Sequence, residues 1–185
     1  PRDVVAALGH HGAGGMTATT SQREIFLTTR TAAESEGLTY GQTIDPVRFG
    51  DAQSGQSAYV LSGLASGDGF HTNLGLYNLG DHPLTVTFDL YSAQGTPLGE
   101  VVLSAAPGAF SQDVDALADL GAGDLRGAWA MVTSADAADL YTCYASVVDD
   151  FSHDPTFVPA SPVVQGGGNL AIPTVAAQAG LNDTR

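Results

Sequence analysis

The chain has 185 residues, 43% of them hydrophobic, with twenty acids against six arginines, no lysine and a formal net charge of −14. That charge repels nucleic acid and anionic lipid, which excludes both as partners, and favours solubility, cation binding or a salty medium. No run of about 18 apolar residues is available to insert into a membrane, and the length allows one sizeable core or two small modules.

Twenty-three glycines and nine prolines divide the chain into short Val-, Thr-, Tyr- and Phe-rich runs, the pattern of an all-β protein. At the N-terminal end, DVVAAL (3–8) predicts a helical turn, and strands are expected over 15–20 and 24–32, joined by Ser-Gln-Arg. Four further strands are expected within 57–110. FHTNLGLYNL (70–79) ends at the Gly-Asp-His-Pro turn of 80–83. LTVTFDLY (84–91) places Leu84, Val86, Phe88 and Leu90 on one face and Thr85, Thr87, Asp89 and Tyr91 on the other. LGEVVLSA (98–105) returns after Ala-Gln-Gly-Thr-Pro. DVDAL (113–117) then repeats the opening turn, and strands are expected over 126–134 and 138–149 around Ala-Asp-Ala. Such spacing, with turn chemistry between strands, points to an antiparallel β-sandwich or barrel.

The two DV-x-AL segments belong to an internal repeat. Asp3 corresponds to Asp113, Gly12 to Gly121, Ser21 to Ser134 and Phe26 to Tyr141. Residues 1–50 therefore read as the back half of one sandwich repeat, and residues 51–162 as a complete module. Residues 163–185 read as a Gly-rich linker, VVQGGGN, with the first strand of a further repeat.

The residues with chemical potential are few. Asp149, Asp150, Ser152 and Asp154 crowd the end of the last long strand. Alternate oxygens in a tight loop are how calcium sites begin. The EF-hand type is excluded, because Pro155 stands at its sixth position and Ser161 at its twelfth. The alternative is that these side chains cap the strand end through bonds to the backbone. Cys143, the single cysteine, reads as a small buried residue. Of the histidines His10, His11, His71, His82 and His153, the adjacent His10 and His11 lack the spacing of a zinc pair and read as solvated loop residues, His71 as half-buried on a strand and His82 as part of a turn. Trp129, alternating with Met131 in GAWAMV, is expected in the core rather than on a sugar-stacking surface. No G-x-S-x-G elbow occurs, and the GGG of 166–168 lacks the Lys-Ser/Thr of a phosphate loop.

FHTNLGLYNLG, the strand–turn–strand LTVTFDLYSAQGTPLG, and YASVVDDFSHDPTFVPA together resemble a tandem repeat module of large secreted and surface-attached bacterial proteins. TRTAAESEGLTYGQTIDP (29–46) resembles that module's companion half-repeat, and AIPTVAAQAGLNDTR resembles its opening. His71, Asp150 and His153 depart from the usual Arg, Asn and Gly of the pattern. The resemblance implies immunoglobulin-like antiparallel sandwiches in a multi-module extracellular protein, without catalytic residues.

The expectation is thus a non-catalytic structural or adhesion module, extracellular or at the cell surface, that needs no cofactor unless the acid loop holds calcium. Its partners would be neighbouring repeats, other copies of itself, or a surface polysaccharide. One variant is a filament built by strand exchange, in which Leu170, Ala171, Ile172, Thr174 and Val175 complete the sheet expected to contain residues 15–32 of the next copy. Another is a carbohydrate-binding accessory module of a secreted hydrolase, which requires some of Tyr40, Phe49, Tyr59, Tyr77 and Tyr91 to share a solvent face.

Overall fold

Alternation of apolar and polar residues decides the strands. In the computed structural model, which describes residues 4–11, 14–21, 27–35 and 38–163, Leu84, Val86, Phe88 and Leu90 all point inward from one strand. A helical turn at Val4–Ala7 is followed by strands β1 (Thr29–Ser35), β2 (Leu38–Ile44), β3 (Gln53–Ser54), β4 (Tyr59–Ser66), β5 (Phe70–Asn78) and β6 (Leu84–Tyr91). Then come β7 (Pro97–Ala105), β8 (Phe110–Asp113), β9 (Leu125–Ser134), β10 (Leu140–Asp149), β11 (Pro155–Pro159) and β12 (Ser161–Pro162). Short 3-10 turns lie at Phe49–Asp51 and Ala118–Leu120. Among the described residues no helix is long and apolar enough to cross a membrane.

The molecule is an all-β sandwich. One five-stranded layer runs β11-β10-β5-β8, with β3 also pairing β10; the other runs β12-β4-β9-β6-β7. Every pairing is antiparallel. Between the layers lie Leu61, Leu64, Leu74, Leu76, Phe88 and Val132, all fully buried. Burying each such side chain contributes roughly 1.5–3 kcal/mol against chain entropy.

Strand β10 has two short partners on one edge. β3 pairs Leu140 and Tyr141, and β11 pairs Tyr144 to Val148. Between them the Gln53 side chain closes the gap, its Oε1 accepting from the Cys143 N–H at 2.8 Å and from Sγ at 3.0 Å. A backbone donor buried there without a partner would cost about 1–3 kcal/mol.

The N-terminal region departs from the expected hairpin. Residues 14–20 form no strand, and β1 begins only at Thr29, pairing β2 along its whole length in a separate two-stranded sheet. The reason is a competing contact. Gly15 lies so close to the Tyr77 ring that a side chain there would overlap it, and Thr17 Oγ1 meets the Tyr77 hydroxyl at 2.9 Å, so this stretch runs as a strap over the outer face of β5. β2 approaches the same layer, with Gln42 Oε1 accepting from Ser146 Oγ at 3.3 Å and Tyr40 edge-on to His153. Residues 164–185, which include the expected strand-exchange residues Leu170, Ala171, Ile172, Thr174 and Val175, lie outside the described residues.

Candidate functional site

The acid loop between β10 and β11 is organised by its own backbone. Asp149 Oδ1 accepts from the N–H groups of Phe151 (2.8 Å) and Ser152 (3.1 Å). These two donors hold the Asp149 carboxyl below the usual carboxylate range. Ser152 Oγ accepts from the Asp154 N–H at 3.3 Å, and Asp154 returns its carbonyl to the Asp149 N–H. His153 takes a positive φ of 58° to complete the turn.

Asp150 points elsewhere. Its N–H donates to the Gly69 carbonyl at 2.8 Å, and its Oδ1 lies 2.5 Å from His71 Nδ1. The four loop residues therefore do not converge on one point. Among the described residues no group of three His, Cys, Asp or Glu side chains is placed to hold a metal ion.

Asp150 and His71 form one wall of a cavity of about 390 Å³ at the end of the sandwich. Phe70 of β5, the turn after β4 with Ser66 and Gly67, and the segment between β8 and β9 with Asp115, Leu117 and Asp124 supply the rest. Arg126 fixes this turn, donating to the carbonyls of Gly67 (3.1 Å) and Asp68 (2.9 Å), with its guanidinium 4.2 Å above the Phe70 ring. Asp115 stands at a φ of 55°, its N–H donating to Asn73 Oδ1 at 3.0 Å and its own Oδ1 buried without a partner.

The opposite end carries a second polar cluster. His82 sits between two carboxylates, with Nδ1 3.0 Å from Asp81 Oδ1 and Nε2 3.0 Å from Asp139 Oδ1. Asp139 is buried at 3% exposure, and its other oxygen accepts from Ser134 Oγ. The bond to Asp81, then that to Asp139, pushes the His82 pKa up. Serine, aspartate and histidine meet here in the wrong order for nucleophilic catalysis. The carboxylate separates the hydroxyl from the imidazole, so His82 is not positioned to take the Ser134 proton.

The residues of the FHTNLGLYN segment have internal partners. Thr72 Oγ1 donates to the Ala65 carbonyl (2.6 Å) and accepts from the Ala65 N–H (3.2 Å). Asn78 Nδ2 donates to the carbonyls of His82 (2.8 Å) and Ala105 (3.0 Å), while its Oδ1 accepts from the Gly80 N–H (2.8 Å). Gly75 makes room for the Tyr144 ring, which crosses β5 so that its hydroxyl donates to Gln112 Oε1 at 2.9 Å.

No protein-family model matches the chain, and no curated protein matches it. A solved structure of the Thermotoga maritima protein 1070 is similar to it over 60% of this chain and 97% of that one, at 14% identity and a TM-score of 0.45.

Cys143 is buried as expected, and burial pushes its thiol pKa up, away from reactivity. Trp129 corrects its expectation. Ala128, Ala130 and Val132 take the inward positions of β9, which turns Trp129, Met131 and Thr133 to the outer face. There Trp129 stacks on Tyr91 of β6, ring centroids 4.2 Å apart and planes within 14°. Of the other aromatic candidates, Tyr59 is buried, Tyr77 is tied to Thr17, Tyr40 belongs to the separate β1-β2 sheet and Phe49 to a 3-10 turn. The Ser134–Asp139–His82 cluster went unread in the sequence. Its one local signal is a serine and an aspartate at the two ends of the β9–β10 hairpin.

Proposed function

We propose that this chain is a non-catalytic sandwich module of immunoglobulin-like type from a larger extracellular or cell-surface protein, acting as a spacer and adhesive element beside neighbouring repeats. The observation that carries this reading is the internal use of its most distinctive residues. Thr72, Asn73, Gly75, Asn78 and Tyr144 all serve strand-to-strand or strand-to-turn contacts, so the motif maintains a scaffold and leaves its loops to vary. The test is antibody labelling of intact cells that express the whole protein. Surface labelling that is lost after protease shaving is expected, and retention inside unlysed cells would overturn the reading.

Strand exchange between copies is a second form of the same reading, favoured by one edge. β12 pairs only Tyr59 and Val60 of β4, and the chain continues along that edge with the Val163 N–H donating to the Ala58 carbonyl. Residues 170–175 follow shortly after. Sedimentation of the full chain decides it: assemblies that grow with concentration are expected, and a strict monomer removes the idea.

A further inference from the structure

The outer face of the β12-β4-β9-β6-β7 layer combines a half-exposed aromatic pair with acceptors, and the cross-strand rows named below hold no base among the described residues. In register across the strands, Ser62, Trp129, Tyr91 and Pro97 form one row, and Val60, Met131, Asp89 and Glu100 the next. Thr133, Thr87 and Val102 form a third. From β4 to β7 the platform spans about 14 Å.

Trp129 leans onto Tyr91, away from β4. On the side it vacates, Ser62 and Gly63 are exposed, and a side chain added at Gly63 would meet nothing within 4 Å. With Tyr91 stacked on its β6 side, the other ring face of Trp129 is turned toward Ser62 and Gly63 of β4.

We propose that this face binds a neutral polysaccharide, with one sugar ring stacked on Trp129 above Ser62 and Gly63 and the hydroxyls of following units, laid along the Val60–Met131–Asp89–Glu100 row, donated to Asp89 and Glu100. A pyranose ring presents C–H groups to an aromatic face and hydroxyls at its rim, which matches an indole with a carboxylate-bearing row beside it. Charge selects the polymer. Two carboxylates on the face and a net charge of −14 repel uronic-acid or sulfated chains, whereas a neutral chain meets only acceptors that its hydroxyls satisfy. The inference rests on the adhesion reading only for where the polymer is met, since it names a partner rather than a location.

Trp129 is the single tryptophan of the chain, so its fluorescence reports the site directly. The full chain is titrated with cellohexaose, mannohexaose and maltohexaose, with polygalacturonate as the anionic control. A saturable change with at least one neutral hexasaccharide is expected. Ser62→Leu, which fills the open side from an exposed position, should weaken it about tenfold or more, and so should Asp89→Asn combined with Glu100→Gln. Affinity electrophoresis of Trp129→Ala, with the melting temperature of each variant recorded, gives a second readout. No response to the neutral sugars, unchanged binding in the Ser62 variant, or a preference for polygalacturonate each overturns the proposal, whatever the surface labelling shows.

Discussion

A methyl group on Gly75 would occupy the space of the Tyr144 ring. That contact joins the two most recognisable segments of the chain, because Gly75 lies in FHTNLGLYN and Tyr144 opens YASVVDD. The ring covers the glycine and reaches Gln112 on the next strand, so three neighbouring strands share one cross-strand contact. Gly75→Ala should therefore lower stability in urea by about 1–3 kcal/mol, the usual cost of overpacking. In a Tyr144→Ala background the same change should cost much less, because its obstacle is gone. Equal costs in both backgrounds would show that the ring is not the obstacle. Asn78 is the polar counterpart. Asn78→Ala deprives two carbonyls and one N–H of their partner, and a loss of about 1–3 kcal/mol or more is expected. Calorimetric melting that matches the parent would refute this role.

The same residues explain what the sequence could and could not reveal about the elements. β6 was legible in bounds and in faces because all four of its inward residues are apolar. β5 was legible in bounds only. Thr72 and Asn78 point inward at its two ends, and the groups that satisfy them, at Ala65, His82 and Ala105, lie on other elements. Trp129 was misplaced because alanine is a weak marker of burial, so nothing in GAWAMV says which side of β9 is the core. β3 and β12 have two residues each, too few for a period to appear. The acid loop was legible as a turn, but the pairing of Asp150 with His71 depends on the β5–β10 register.

His82 joins two turns through a titratable contact. It clasps the β5–β6 turn to the β9–β10 hairpin through Asp139. Its folded pKa is raised above the ordinary histidine value of 6.5, so its contribution is complete below that value and is lost as pH rises through the higher folded pKa. Melting temperature should fall across that alkaline-side window, and His82→Gln should remove this part of the fall while lowering stability below it. Asp81 and Asp149 act in the opposite window. Their lowered folded pKa values stabilise above the ordinary carboxylate value, and that contribution is lost as pH falls through the folded ones. A His82→Gln profile parallel to the parent's above pH 6.5 would rule out the clasp.

For the whole molecule, charge is the term that no single contact offsets. Twenty acids against six arginines leave −14 charges on one small chain, and of the arginines among the described residues only Arg126 forms an ion pair with an acid. Self-repulsion of this kind destabilises the compact state and is screened by salt. Melting temperature should therefore rise as sodium chloride is added to a low-salt buffer, and flatten once the screening length falls to about 3 Å near 1 M. Divalent ions separate screening from binding. Because Asp149 and Ser152 are engaged with their own turn and Asp150 with His71, calcium and magnesium at matched ionic strength should stabilise equally, with no saturable heat of calcium binding. A calcium-specific rise, lost in Asp154→Asn, would instead mean that the loop reorganises around the ion, and that the acids at the end of β10 are ligands rather than turn formers.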